Sequence, residues 1–568
     1  MNQPSPALLS DPLADLTPAQ RAWVERTWAA LDGRGRLLQC ECRLLTATAP
    51  GDIPELVRRL RDDPPGSVFI GGEIIKGAEG DPSGVRRLTD ALAEGLAVPP
   101  LVAADLERGA GCGIRGLTEL PHQLALGCAD DEQLAYDYGK ATAIEARQVG
   151  ITWTFAPVAD LLQNWFNPAV MTRALGGDAG RVARLAAAVA RGMQDHGLAA
   201  CAKHFPGDGA DFRDQHLVTT VNHLDERSWM QQHGRVFREL AEAGVWTMMS
   251  GHIALPWCEP AGGGPRPRPA TVSAAQLTTL LRGRLGFRGA VVSDALIMAG
   301  IAGWAPPEQA EVEALVAGVD VLLWPEAGWI ARMEAAQAAG VLTAARRDQA
   351  ALRALALKAR VLVPAGSVPA PADPGAFART VARQVAERGI ATVRNAEGLL
   401  PWDARQVRKV LLLASVNPAA KAEDDRRYAT VVEALRTRGC EVTVLRNPNC
   451  LEIPKREAAG ERWDAMLALF SLEMHEQKNS ARPVGAMAEG LWSLQMARSV
   501  RPVVASLGTP FLLHELPGLG TLVNVHSSCE ASQRALVAAL FGDIPAAGRS
   551  PVRHEPDPAA APPGYLGG

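Results

Sequence analysis

Between residues 37 and 360, short apolar runs alternate with longer segments whose apolar positions recur every three or four residues. The short runs are LLQCECRLL, SVFIGG, PLVAAD, ITWTFAPVAD, AACAKHF, VWTMMSGHI, GAVVSDAL and DVLLWP. Their length and β-branched or aromatic content predict strands. Segments such as DEQLAYDYGKATAIEARQVG and AGRVARLAAAVARGMQDHG carry the helical period. The second stops at His-Gly, a usual helix end. Eight strands separated by helices predict a (β/α)8 TIM-type barrel over residues 37–360, preceded by an N-terminal extension over 1–36.

The pattern then changes. Residues 361–377 contain LVPAGSVPAPADPGAF, which has no helical period and reads as a linker. A second alternating region follows over 378–545, with strands predicted at KVLLLASV, EVTVLR, AMLALFSL, PVVASLG and TLVNVHS and helices such as DDRRYATVVEALRTRG between them. The expectation is a smaller αβα sandwich around an open parallel sheet. The tail over 546–568, rich in Pro, Ala and Gly, is expected to be poorly ordered. The chain has no internal repeat.

Composition narrows the class. A chain of 568 residues is too long for one ordinary core, which agrees with two domains. Hydrophobic residues make up 47% and charged residues 21%, an ordinary balance for a globular protein. The formal net charge of -4, with both signs interspersed, offers no electrostatic argument for nucleic acid or an anionic membrane as partner. Nine scattered cysteines read as free thiols in a reducing compartment. Cys40 and Cys42 form CxC, which lacks the spacing and partners of a zinc site. No metal or cofactor is expected. The first twenty residues lack a basic stretch and an apolar core, so no secretory signal is read there. No run of about 18 apolar residues predicts a membrane span. A cytoplasmic location is the expectation.

Barrel enzymes carry their chemistry at the C-terminal ends of the strands. Five predicted strand ends bear reactive groups: Asp105 with Glu107; Asp160; Lys203 and His204; His252; and Ser293 with Asp294. The loop after Lys203, KHFPGDGADFRDQH, adds Asp208, Asp211, Asp214 and His216. Read alone, this loop is either a solvated surface turn or a catalytic one. No phosphate-binding Gly-rich loop, HExxH, paired-Cys or GxSxG motif is present. A carboxylate at one strand end and a proton donor on a loop suit retaining glycoside hydrolysis.

These stretches resemble the family 3 glycoside hydrolases, in the β-N-acetylglucosaminidase branch. The resemblance rests on PLVAADLERGAG, LAYDYGKATAIEARQVGITWTFAPVADL, NPAVMTRALGGD, AKHFPGDGADFRDQH, MMSGHIALP and LGFRGAVVSDALIMAGI, within residues 97–325. It implies a retaining, exo-acting enzyme with Asp294 as nucleophile and an Asp214–His216 dyad as acid/base. It further implies Asp105, Arg173, Lys203 and His204 as sugar contacts. The implied partner is a small sugar or glycoside, with GlcNAc released from cell-wall or chitin fragments. A β-glucosidase with an altered pocket, a β-glycoside phosphorylase and an inactive sugar-binding protein stand as alternatives.

The chain also departs from the branch pattern. GDGAD stands where GHGDT is usual, Gln215 where the dyad usually has serine, and SDA where SDD is usual. These changes touch recognition and leave the implied catalytic residues in place. His252 reads as a structural group beneath the site. Trp165 and Trp257 are either sugar-stacking platforms or packing residues. Glu473 and Glu476, after AMLALFSL, are weaker candidates for the proton donor.

Overall fold

The computed structural model describes residues 11–45, 52–71, 81–259, 266–363, 366, 369, 371–416, 425–473 and 480–554. Two compact units emerge: residues 1–119, 135–160 and 182–379 form one, and 120–134, 161–181 and 380–568 the other.

Each of the eight apolar runs of the first unit contains a strand: β1 Glu41–Leu44, β2 Ser67–Phe69, β3 Leu101–Ala104, β4 Trp153–Thr154, β5 Cys201–Phe205, β6 Thr247–Ser250, β7 Ala290–Ser293 and β8 Leu322–Leu323. They form a five-stranded sheet in the order β8-β1-β2-β3-β4 and a three-stranded sheet β5-β6-β7. All of these pairings are parallel, with Cys42 opposite both Ser67 and Leu323. Parallel bridges Trp153↔Ala199 and Val292↔Val321 link the two sheets at both ends. Neighbours therefore follow chain order and return to the starting strand. One apolar cluster draws Cys42, Phe69, Ala103, Trp153, Cys201, Met249, Val292 and Leu323 from the eight strands in turn. The indole N–H of Trp153 is satisfied inside it by Thr247 Oγ1 at 3.0 Å.

Helix Ala179–Asp195 buries Val182, Leu185, Ala186, Val189 and Met193, which share one face at 3.6 residues per turn. Gly197, at φ +77°, ends that segment in a conformation that favours glycine. Helix Pro18–Ala30, from the stretch read as an N-terminal extension, packs Val24 against Leu355 and Ala359 of helix Ala344–Leu362.

The second unit is built on a six-stranded sheet. Its strands are β9 Ala391–Asn395, β10 Lys409–Ser415, β11 Glu441–Arg446, β12 Ala465–Phe470, β13 Pro502–Ser506 and β14 Thr521–Asn524, in the order β9-β14-β13-β12-β10-β11. Along β10, Val410, Leu412 and Ala414 enter one apolar cluster while Leu411 and Leu413 enter another. Side chains alternate across a strand, so both faces of the sheet are covered. Helices Ala429–Thr437 and Glu530–Leu540 supply one cover, and Glu452–Ala458 and Ala486–Met496 the other. The edge strand β9 runs antiparallel to β14 and was not predicted. Its residues after Ala391 are half-exposed or exposed, which removes the apolar signal.

Two further expectations are revised. Helix Pro374–Arg388 begins inside the stretch read as linker. Residues 546–554, read as the start of a poorly ordered tail, are held by backbone bonds: Gly548 N to the Ile390 carbonyl, Arg549 N to that of Cys128, and Gly177 N to that of Pro551. Hydrogen bonding, not composition, decides whether such a segment is ordered. Among the described residues no helix is long and apolar enough to cross a membrane.

One buried charge in the first unit has a measurable consequence. Lys358 on helix Ala344–Leu362 is buried, with Nζ donating to Gln39 Oε1 at 2.7 Å. Burial pushes its ammonium down from 10.5 to about 7. Between those values the unfolded chain binds the proton and the folded protein does not, so stability rises with pH across that window. The wild-type melting temperature should therefore rise, relative to Lys358→Met, by roughly 3 °C or more from about pH 7 to about pH 9.5. Calorimetry on both proteins checks this, and parallel pH profiles would refute it.

Candidate active site

The polar strand ends of the first unit are organised from β4 outward. Asp160, six residues past β4 and fully buried, accepts three hydrogen bonds: from His204 N at 3.1 Å, from His204 Nδ1 at 2.6 Å and from Asp208 N at 2.7 Å. Burial pushes its carboxyl up, and the neighbouring His204 with the amide donors more than offsets this, holding it below the ordinary range. The chain leaves β5 through cis Lys203–His204 and Phe205–Pro206 bonds. It turns at Gly207, whose φ is +112° and where a Cβ would fall 2.1 Å from His233 Nδ1. Only glycine fits that combination. Asp208 caps the next turn, its Oδ1 accepting from Gly209 N at 2.6 Å.

The rest of the loop is closed by its own charged groups. Asp211, unexplained by sequence, accepts from Val221 N at 2.8 Å and pairs with the Arg213 guanidinium at 2.5 Å. Burial raises its carboxyl, but Arg213 and the Val221 amide bring it below the ordinary range. Asp214 Oδ1 accepts from both His216 N at 2.9 Å and His216 Nδ1 at 2.6 Å. The Asp214 side chain is 4% exposed and that of His216 34%, so the imidazole reaches solvent while its anchor does not. A carboxylate at Nδ1 makes that nitrogen the donor and leaves Nε2 to exchange protons. Gln215, between them, accepts from His252 N at 2.9 Å and ties the loop to the end of β6.

His252 is buried, as expected of a structural group. Its Nε2 donates to the Ala295 carbonyl at 3.0 Å, and Nδ1 accepts from Thr271 Oγ1 at 2.9 Å. Burial pushes its pKa down, so it is held neutral. Asp294 follows β7 directly. Its N–H donates to the Ser250 carbonyl at 2.9 Å, and its Oδ1 accepts from Ala295 N at 2.8 Å. Burial pushes its carboxyl up; His204 first, with the Ala295 amide and His216, outweighs that and holds it below the ordinary aspartate range. Ser293 serves β8, its Oγ accepting from Leu323 N at 2.9 Å.

A third group lies at the end of β3. Lys203 is buried, with Nζ 3.0 Å from Asp105 Oδ1 and 2.7 Å from Glu107 Oε1. Asp105 itself is exposed. Glu107, which sequence left between a surface and a sugar-contacting role, is thus a partner of Lys203.

Asp105, Lys203, His204, Asp214, His216 and Asp294 all fall within the first unit. Arg173 belongs to the second unit, where it is buried with Nη1 donating to the Ala169 carbonyl at 2.9 Å. Glu473 also belongs there. It accepts from Ser528 N at 3.0 Å and lies 3.4 Å from His122 Nε2. Glu476 falls outside the described residues. The rings of Trp257 and Trp229 lie tilted with centroids 5.6 Å apart, and those of Trp165 and Phe166 lie tilted with centroids 3.7 Å apart. Sequence reasoning named Asp160 as a strand end but missed its role as anchor, for which the signal was a carboxylate at β4 opposite the His-Phe-Pro turn of β5. Among the described residues, no three His, Cys, Asp or Glu side chains are grouped to hold a metal ion.

Comparison with known proteins gives the family. The profile of the glycosyl hydrolase family 3 N terminal domain matches residues 52–357. A β-N-acetylglucosaminidase/β-glucosidase of Cellulomonas fimi is 33% identical over 94% of this chain and 95% of its own. A solved β-glucoside phosphorylase bound to 2FGlc superposes with a TM-score of 0.83 at 27% identity, covering 98% of this chain and 99% of that one. A family 3 β-N-acetylglucosaminidase from Paenibacillus sp. str. FPU-7 superposes with a TM-score of 0.80 at 26% identity, over 92% and 99%. With more than half the chain matched by the profile and a relative aligned over nearly its whole length, the chain is a glycoside hydrolase and belongs to glycosyl hydrolase family 3.

Proposed function

We propose that the protein is a retaining, exo-acting β-N-acetylhexosaminidase whose first unit is a (β/α)8 barrel and whose second is an αβα sandwich, with boundaries near 37–360 and 378–545. The observation that carries the reading is the Asp214–His216 pair, bonded at 2.6 Å, on a loop that is tied to the segment after Asp294 by the bond from Ala299 N to the His216 carbonyl. In this reading Asp294 attacks the anomeric carbon and His216 protonates the leaving oxygen through Nε2. Asp214 fixes the tautomer and steadies the imidazolium. His216 then takes the proton of the incoming water, and the glycosyl–Asp294 ester is cleaved. Lys203, His204, Asp105 and Arg173 bind the sugar, with Lys203 held in place by Glu107 and His204 by Asp160. The relatives named for β-N-acetylglucosaminidase activity support the choice of GlcNAc.

Phosphorolysis is a second reading, favoured by the similarity to a β-glucoside phosphorylase. An imidazole donor, unlike a carboxylate, adds no negative charge that would repel an incoming phosphate. In that case phosphate takes the place of water at the glycosyl–Asp294 ester, and the product is a glycosyl phosphate of retained configuration. Incubating aryl β-GlcNAc and aryl β-glucoside with and without phosphate separates the readings: hydrolysis yields free sugar in both buffers, and phosphorolysis yields sugar phosphate only in one.

His216→Ala should lower turnover of poorly activated glycosides by about 10²–10⁴-fold. It should leave dinitrophenyl glycosides nearly unaffected, because their departure needs no proton. Equal losses on both substrates would remove the acid/base role. A fluorosugar that stalls the second step should label Asp294, as peptide mass spectrometry would reveal, and labelling at any other residue would refute the assignment.

The lowered carboxyl of Asp294 sets the pH dependence of the first step. Its folded pKa lies below the ordinary value, so it stays ionised as the pH falls through about 3.9. Glycosylation by a dinitrophenyl glycoside, followed in a stopped-flow pH jump, should keep more than half its plateau rate at about pH 3.9. An acid limb centred above that value would contradict the assignment.

A further inference from the structure

Among the described residues, nine large hydrophobic side chains are exposed, and four of them flank the candidate catalytic groups: Phe212, Leu217, Val218 and Ile297. Leu217 follows His216 directly and is 51% exposed; Ile297 lies three residues past Asp294 and is 62% exposed. The two segments are bonded together. Ala299 N donates to the His216 carbonyl at 3.1 Å, and Thr219 Oγ1 donates to that of Gly300 at 2.6 Å. A Cβ on Gly300 would fall 2.3 Å from the Gln215 carbonyl oxygen and 3.2 Å from that of Val218, so the contact is as close as backbone allows.

The loop's polarity is the reverse of a solvated turn. Its acids and bases are engaged with one another or with the framework: Asp211 with Arg213 and Val221 N, Asp214 with His216, and Gln215 with His252 N. Its apolar side chains point to solvent instead. Singly exposed apolar residues are ordinary, but a group of them beside a site marks a surface that receives something apolar.

Position indicates what that is. A leaving oxygen protonated by His216 Nε2 carries its substituent past the residues next to His216 and Asp294. A sugar at that place would need donors and acceptors for its hydroxyls, whereas the exposed side chains of these two segments, Phe212, Leu217, Val218 and Ile297, are apolar. Resting on the glycosidase reading given above, we propose that Leu217, Val218 and Ile297, with Phe212 on the same loop, receive an apolar aglycone, so that glycosides of alkyl or aryl alcohols are the preferred substrates.

The test uses octyl and methyl 1-thio-β-glycosides of both GlcNAc and glucose, which bind without being cleaved, with affinities read by calorimetry. The wild-type protein should bind the octyl compound at least about ten-fold more tightly than the methyl one, since each methylene taken out of water adds to the affinity. In the double variant Leu217→Ser with Ile297→Ser that ratio should fall to about three-fold or less. Phe212→Ser alone should lower it by a smaller factor. A ratio near one in the wild type, no binding of the octyl compound, or a ratio unchanged in the double variant would each overturn the proposal. So would a wild-type dimer, seen by light scattering, that the double variant disperses, since a second copy would then be what covers this surface. The ratio is read without turnover, so absence of hydrolysis on every O-glycoside would count against the glycosidase reading and not against this one.

Discussion

The buried carboxylate of Asp160 is the constraint on which the rest of the site depends. It takes three donors from the end of the following strand and the turn after it, and two of them belong to the backbone. Without a carboxylate at that place, the His204 and Asp208 amides and one His204 ring nitrogen would lose their partner in a dry interior. Breaking such a buried pair typically costs about 3–5 kcal/mol. Asp160 therefore fixes where the chain leaves β5, and with it the orientation of Lys203 and His204. From that fixed start the loop is pinned twice more, by Asp211 on Val221 N and by Gln215 on His252 N. Three side-chain acceptors on backbone amides thus hold a segment that has little regular structure of its own.

This arrangement explains why the departures in GDGAD leave the dyad unaffected. Asp208 is held by its own amide on Asp160 and closes the turn onto Gly209, and Asp211 is the clamp that keeps Arg213 inside the loop. Neither position is needed to orient His216, which depends on Asp214 alone for its Nδ1 contact. The loop's changed residues reshape the walls around the dyad and spare the dyad itself. Consistent with that, its outward side chains are apolar.

Much of this was legible in the sequence, for identifiable reasons. Seven of the eight strands of the first unit showed because they are buried on both faces, as β10 of the second is, and β1 showed through its buried first half. Asp214, His216 and Asp294 stood out because titratable groups at consecutive strand ends converge in any ring of parallel strands. Strand β9 was missed because its outer residues face solvent and its pairing is with β14, far along the chain. The packing of residues 120–134 and 161–181 with the second unit left no local trace, since helical periodicity records that a face is buried and not what buries it. The order in 546–554 was hidden by composition: the backbone bonds of Gly548 and Arg549 can be made by any residue. That Arg173 packs in the second unit left no trace in its motif, which does not report the unit a residue packs in.

Three imidazoles surround the carboxyl of Asp294, and their surroundings divide the work among them. His252 has both nitrogens engaged, one by a carbonyl and one by a hydroxyl, and burial keeps it neutral. It supports Asp294 through packing and polarity, with no route to solvent. His204 is tied through Nδ1 to a carboxylate that is itself dry, so its geometry is set by the framework. Only His216 combines a fixed Nδ1 with a partly exposed ring. A group that both delivers a proton and recovers one within each turnover must meet solvent or substrate at one nitrogen and a fixed acceptor at the other. Of the three, His216 alone satisfies both conditions, which is the physical ground for proposing it for the proton-transfer role and for reading the other two as the scaffold around Asp294.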